Sequence, residues 1–377
     1  MSFVEGLEQT PFLVSINLLM LLLNLLIMSP AMHSPYKASS LRRSTSIIII
    51  FLFCLFSFWG PDWFHYAEKF GVLINDYDSD IEDIYYYIAK YLSPNYLIFR
   101  MIVWWGGLLL LFQTIKRLNV NRDLFLLVFG CVWLIYFSYA RVSLAMSILF
   151  YGSSFLIKPI KNKKALSYFL GLLLVGVAFY FHKSAIFGQL IVLVTILTNK
   201  LGKRSSILII LLFPLLIYLT RGFLMDFMSA GYDVEEGVIE SYANVGQSYL
   251  GRTSGQKGLG SQIQRLLEVI PYYILAIVSI RLTGKRGHET LPKDIRFVAR
   301  LLFFIVLLSS VFLFDFGLNT GILYIRFIRF AIIPASVLLS YLLEHRELLR
   351  NGRTLFYGTF VGTLYAVMYM LYCSAVN

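Results

Sequence analysis

The sequence predicts an all-α fold: a single integral membrane domain spanning 1–377, built as a polytopic bundle of about 12 transmembrane helices. Three observations carry that prediction. Charged residues make up 14% of the chain and hydrophobic ones 58%, whereas a soluble domain is about a quarter charged, so polar surface is too scarce to wrap a water-soluble globule. Apolar runs of membrane-spanning length recur from end to end, and the mean hydropathy is +0.72, which excludes a soluble domain on a single anchor. The segments between those runs alternate between rich and poor in Lys and Arg, as loops on opposite sides of a bilayer do.

The apolar runs place spans near 12–29, 46–60, 96–113, 123–140, 142–157, 165–181, 185–198, 205–220, 266–281, 297–314, 327–343 and 354–373. Ahead of the first lies Met1 to Pro11, which holds Glu5 and Glu8 but no Lys or Arg. It lacks the basic start of a cleavable signal peptide, so the first span is expected to persist in the mature protein.

The connections 30–45, 114–122, 158–164, 199–204, 282–296 and 344–353, with Arg281, Arg300 and Asp123 at adjoining helix ends, hold 22 of the 33 basic residues and 5 of the 21 acidic ones. The positive-inside rule makes that side cytoplasmic and turns both termini outward. Sorted by side in this way, the net charge of +12 is a topology signal and does not point to nucleic acid. Cys54, Cys131 and Cys373 fall in no C-x-x-C or Cys/His spacing, so neither a disulfide framework, a metal site nor a cofactor is expected.

Two long connections, about 61–95 and 221–265, fall on the outward side, where long loops are usually functional. Each predicts a surface helix. In the first, Ser79 and Glu82 have capping-box spacing, and Ile81, Ile84, Tyr85, Ile88 and Leu92 follow with helical period. In the second, Val234, Val238, Tyr242 and Val245 form a weaker stripe. The Gly/Ser/Gln-rich stretch from Gly246 to Gln262 then reads as a loop. Gly246 to Thr253 reads G-x-x-x-x-G-R-T, which misses the phosphate-binding loop because Arg252 stands where Lys belongs and no strand precedes it.

On the outward side basic residues oppose the topology signal, so each needs a reason, and Arg141, Lys183, Arg221, Arg265, Arg326 and Arg329 all lie at or near helix ends there. Arg326 and Arg329 are three apart, so on a helix they share a face and can grip a diphosphate through forked hydrogen bonds. Arg141 sits in a very short turn. The competing reading is snorkelling to lipid headgroups. His182, at the outer end of a span and beside Lys183, offers a general base or a phosphate donor, against a structural role at the interface. Asp315, alone at the outer end of its span, is a second candidate base. The cluster Asp76, Asp78, Asp80, Glu82 and Asp83 is suited to a cation or a sugar hydroxyl, or is simply a solvated acidic loop.

Three motifs follow in order: Tyr139-Ala140-Arg141-Val142-Ser143-Leu144-Ala145-Met146-Ser147, Phe181-His182-Lys183-Ser184-Ala185-Ile186 and Tyr324-Ile325-Arg326-Phe327-Ile328-Arg329-Phe330. Together the chain resembles the EpsG-type, Wzy-like family of bacterial exopolysaccharide, capsule and O-antigen polymerases. An Asp and Tyr-containing segment often precedes these motifs in that family, as Asp80 with Tyr85 to Tyr87 does here. Ser93-Pro94-Asn95-Tyr96 departs from the family's Glu-Pro-x-Tyr, so no role passes to Asn95.

The resemblance implies a GT-C-like bundle in the bacterial inner membrane. It would act as a glycosyltransferase that joins undecaprenyl-diphosphate-linked oligosaccharide repeat units on the outward face, alongside a chain-length regulator and a flippase. On that reading Arg141, Lys183, Arg265, Arg326, Arg329 and Asp80 bind the diphosphate or sugar, and His182 or Asp315 serves the acceptor hydroxyl. Other classes compatible with the residues are a flippase or transporter of lipid-linked oligosaccharide and a membrane acyltransferase using a single His.

Overall fold

The computed structural model describes residues 11–32, 38–57, 70–71, 83–139, 142–182, 184–199, 259–283, 291–311 and 327–376. Among them all regular structure is helical. The helices are α1 (Pro11–Met28), α2 (Ser40–Leu55), α3 (Asp83–Tyr87) and α4 (Tyr96–Leu118). Next comes α5, in which Arg122–Val128, Phe129–Trp133 and Leu134–Tyr139 join end to end through a π-helical turn. Then follow α6 (Ser143–Ile157), α7 (Lys164–Phe181), α8 (Ala185–Asn199), α9 (Leu259–Thr283), α10 (Lys293–Val311), α11 (Ile332–Glu344, entered through the 3-10 turn Arg329–Ala331) and α12 (Gly352–Val376). Among the described residues four helical runs, Val14–Met32, Tyr96–Leu118, Lys164–Phe181 and Ile263–Thr283, are long and apolar enough to cross a membrane, and Ser143–Ile157 and Ala185–Thr198 are shorter apolar helices. The predicted span at 205–220 lies outside the described residues.

Side chains are sorted as in a bilayer, with bulky apolar groups outside and small or polar ones inside. On α1 the inward stripe is Val14, Asn17, Leu21, Asn24 and Met28, while Leu19, Leu22 and Leu26 are exposed. On α7 the inward stripe is Ser167, Gly171, Val175 and Ala178, while Phe169, Leu172 and Leu173 face out. Such faces gain little by leaving lipid, so close packing and hydrogen bonds must hold them together.

Both forces are visible. Between α6 and α7, Gly152 and Gly171 bring the backbones so close that a Cβ on Gly152 would sit 3.0 Å from the Gly171 carbonyl and one on Gly171 2.6 Å from Leu156. Asn24, fully buried on α1, joins three helices: its amide nitrogen donates to the Leu126 carbonyl (3.1 Å) and its oxygen accepts from Ser46 (2.5 Å). The carbonyl of Leu126 lies just ahead of the π turn of α5, where helical pairing is disturbed and an outside donor is welcome.

The helices α5 and α11 form the centre. Every residue from Asp123 to Ser138 and from Ile332 to Leu343 is buried, with α11 packed against α5, α10 and α12. The first predicted surface helix is described from Asp83: Tyr85 and Ile88 are buried and Leu92 is exposed, so its Ile84/Tyr85/Ile88 face turns to the bundle, where it meets α7. Ser79, Ile81 and Glu82 lie outside the described residues.

The loop read as 221–265 requires a correction. Helix α9 begins at Leu259, so the last part of that polar stretch, Leu259 to Gln262, and the cation Arg265 are helical, while 221–258 lies outside the described residues. A helix that crosses the membrane edge keeps its ladder of backbone hydrogen bonds when its side chains turn polar, and composition alone does not register that.

Candidate ion-pair site at the ends of the central helices

The site is built where α5 ends and α11 begins. Arg329 opens the 3-10 turn that leads into α11, and its Nε lies 3.5 Å from Oε1 of Glu268 on α9, with side chains 14% and 7% exposed. The separation exceeds the roughly 2.8 Å of a charge-assisted hydrogen bond, so the two charges face one another without closing fully. Glu268 heads a stripe of α9: Arg265 lies one turn before it, near enough to act on its charge, and Tyr272 one turn after. Pro271 removes the backbone donor that would pair the Leu267 carbonyl, loosening the helix beside the carboxylate.

From α5, Trp133 and Tyr136 close the cluster. The Tyr272 ring stands 6.1 Å from Trp133, and Tyr136 lies within electrostatic reach of both Glu268 and Arg329. Tyr136 is 6% exposed and Tyr272 0%, and among the described residues the Tyr272 hydroxyl makes no hydrogen bond of standard geometry. A buried phenol beside a loosely closed ion pair offers a donor to a third group.

His182 ends α7 in an extended conformation, its N–H donating to the Ala178 carbonyl (3.2 Å) and its carbonyl accepting from Ala185 N–H (2.8 Å). The imidazole is half-buried. The step from α7 into α8 is adjacent to the Arg329 segment through two contacts. The Phe187 and Phe327 rings are 3.9 Å apart, and Gly188 lets Phe330 approach so closely that a Cβ there would meet it at 3.1 Å. Residues far apart in sequence thus bring the His-x-Ser-Ala step and the start of α11 together.

Of the residues singled out from sequence, His182, Arg265 and Arg329 fall in the described residues, as does Asp83 of the acidic cluster at the start of α3, and Arg265 is an exposed side chain on α9. Arg141, Lys183, Arg326, Asp315 and Asp80 lie outside them. Tyr139 ends α5 two residues before Arg141, and α6 begins at Ser143. The small-residue helix that follows Arg141 serves packing: Gly106 and Gly107 of α4 pack on Leu144 and Ser147 of α6. Asn95, which received no role, caps α4 by accepting from Ile98 N–H at 3.0 Å. In the Tyr-containing segment, Tyr86 accepts from Lys90 at 2.5 Å and Tyr87 stacks on Tyr91.

Among the buried ionic residues that escaped sequence reasoning are Glu268 and Arg100. Glu268 had a usable signal, a carboxylate inside an otherwise apolar run and one turn from Arg265. Arg100 is 2% exposed near the start of α4, donating to the Cys54 carbonyl (2.8 Å), Ser57 (2.9 Å) and Tyr96 (3.3 Å), with Trp104 under its guanidinium at 4.3 Å. Its partners sit on α2 and α4, so this arginine ties two helices together.

Helices that face lipid with bulky apolar side chains and enclose small, polar and paired ionic ones define a bundle-type integral membrane protein. Residues 41–377 match the EpsG family, and the chain belongs to it. No curated protein and no solved structure matches the chain.

Proposed function

We propose that this protein is a polysaccharide polymerase, a glycosyltransferase that joins undecaprenyl-diphosphate-linked oligosaccharide repeat units on the outward face of a bacterial inner membrane. The supporting observation is the buried Glu268–Arg329 pair with Tyr136 and Tyr272, beside the His182 step. In the proposed reaction the acceptor hydroxyl oxygen attacks the anomeric carbon of the growing chain. The bond from that carbon to the diphosphate breaks, the diphosphate leaves with the bonding electrons, and the hydroxyl proton passes to a protein base.

The departing charge needs cations aimed at it in a partly dehydrated site, and forked guanidinium groups suit a diphosphate better than the point charge of Lys. Arg329 takes that role, joined by Arg141, Arg326, Lys183 and Arg265, with Asp80 toward the sugar. His182 or Asp315 takes the proton. Glu268 holds Arg329 in aim until the diphosphate competes for it. In this reading the chain crosses the bilayer about a dozen times in a GT-C-like bundle, and the alternation of basic segments supports both termini facing outward.

The deciding experiment incubates the purified protein with a lipid-linked repeat unit and resolves products by size. A ladder of longer products supports polymerisation. Unchanged units that appear on the far leaflet of a vesicle support a flippase instead, and transfer of an acyl group from an added donor supports an acyltransferase.

A further inference from the structure

At the end of the bundle opposite Arg329, several cations close helix ends. Arg117 donates to the Lys158 carbonyl (2.7 Å) and Ser154 (3.0 Å) at the end of α6. Arg346 and Arg353 both donate to the Met32 carbonyl beyond α1. Arg43 is held in a fork by Asp123, at 2.7 and 3.1 Å. Lys116 and Arg122 are exposed, and their side chains make no hydrogen bond or ion pair among the described residues.

Lys116, Arg122 and Arg43 rim a cavity of about 260 Å³ between α2, α4 and α5. Helical register separates its rim from its floor. Arg43 and Ile47 on α2, Lys116 and Phe112 on α4, and Arg122 and Leu126 on α5 are each four residues apart. Every stripe therefore carries a cation at the helix end and an apolar side chain one turn, roughly 6 Å, deeper. None of the lining residues is acidic, and Gln113 adds a neutral donor. Past Phe112 the apolar wall continues through Phe51, stacked on it at 6.1 Å, to Trp105 at 5.2 Å, with Ile48 and Leu109 exposed nearby.

The cavity is separate from the ion-pair site. Asn121, next to Arg122, donates to Glu344 at the last turn of α11 (3.1 Å), whereas Arg329 stands before its first turn, roughly 20 Å away at 1.5 Å per residue. Its volume falls below the roughly 300–1,000 Å³ of a pocket that encloses a whole ligand, which suits a headgroup and not an oligosaccharide unit.

We propose that this cavity is a binding site for an anionic membrane glycerophospholipid, its phosphodiester held by Lys116, Arg122 and the outer edge of Arg43 and one acyl chain lying along the Phe112–Phe51 wall. A cation rim with an apolar floor one turn deeper complements a phosphate joined to a hydrocarbon chain, and basic pockets between membrane helices bind such headgroups. The inference rests on the helices lying in a membrane and not on the polymerase reading.

The test uses the full-length protein in detergent, titrated with phosphatidylglycerol, phosphatidylethanolamine or inorganic phosphate. Intact-complex mass spectrometry counts retained lipid and a thermal melt reports stabilisation. Lys116→Gln with Arg122→Gln, both exposed positions, should weaken phosphatidylglycerol binding about thirtyfold. Ile47→Trp, which fills the floor and leaves the rim charges in place, should also abolish retention. Lys161→Gln with Lys163→Gln removes equal charge outside the cavity and should change nothing. Equal retention of phosphatidylethanolamine, undiminished binding by the rim variant, equal loss in the control variant, or competition by inorganic phosphate at millimolar concentration would each overturn the proposal.

Discussion

Glu268 and Arg329 meet as a buried ion pair at 3.5 Å, one contributed by α9 and the other by the turn that opens the central helix α11. The pair joins two segments that share no sequence proximity, and it lies within electrostatic reach of two buried tyrosines, Tyr136 and Tyr272.

Breaking this pair from one side should be severe. Glu268→Ala leaves the Arg329 charge uncompensated at a largely buried position and should destabilise the fold by about 3–5 kcal/mol. Arg329→Lys preserves the charge but loses the planar fork, so it should keep the protein inserted while slowing chain lengthening by roughly 100-fold, the scale of one lost aimed donor. Thermal melts of both variants beside product ladders check the two expectations. A normally active Arg329→Lys variant would remove Arg329 from the proposed chemistry.

His182 should separate from Arg329 in its signature. As a proton acceptor, its replacement by Gln should lower the turnover rate with little change in KM or in the melting midpoint. A His182→Gln variant that loses stability and keeps the parent's turnover rate assigns His182 to the α7–α8 step alone.

Arg100 is structural by its partners. Arg100→Leu removes the charged donor to the Cys54 carbonyl and the Ser57 hydroxyl, leaving them only their mutual 3.5 Å bond, and removes the cation over Trp104. At about 1.5–3 kcal/mol for each lost hydrogen bond to a charged group, the variant should melt well below the parent, and Arg100→Lys should recover only part of the loss. Identical midpoints for parent and Arg100→Leu would contradict this role.

The contact between α6 and α7 tolerates no added side chain. Gly171→Leu forces new atoms into space already held by Leu156 and the Gly152 backbone, so the helices must separate. Such overpacking costs about 1–3 kcal/mol or more. Gly176→Leu, on the same helix with open space around its Cα, is the control and should be neutral.

Charge alternation along the chain predicts one more outcome. A reporter fused after Asn377 should register outside the cytoplasm, and one inserted between Lys158 and Lys164 should register inside. A cytoplasmic signal from the C-terminal fusion would reverse the assigned orientation.

Much of the helix pattern was legible in sequence because hydropathy is a local, additive property. The helices at Lys164–Phe181 and Tyr96–Leu118 lie where apolar runs place them. The start of α9 was misplaced because Ser261, Gln262 and Gln264 read as loop, although backbone hydrogen bonding carries the helix through them. The motif residues His182 and Arg329 were found as isolated cationic or titratable groups at helix ends. Glu268 was passed over because nothing near it in sequence reveals that Arg329 stands opposite, and Arg100 because its partners Cys54 and Ser57 lie at the end of α2 and just past it.

The sequence by itself determined that the chain is an all-helical membrane protein of the EpsG family, since apolar run length, charge alternation and short ordered motifs are written along one dimension. Tertiary structure alone decided which polar groups share an environment. It turned Glu268 toward Arg329, set Tyr136 and Tyr272 beside them, brought the His182 step against the start of α11, and gathered Arg43, Lys116 and Arg122 around one cavity. The physical reason is that a helix fixes only which residues share its own face. Which face meets which is settled by close packing through glycines such as Gly152, Gly171 and Gly188, and by polar bridges such as Asn24, and those contacts form only when the whole bundle assembles.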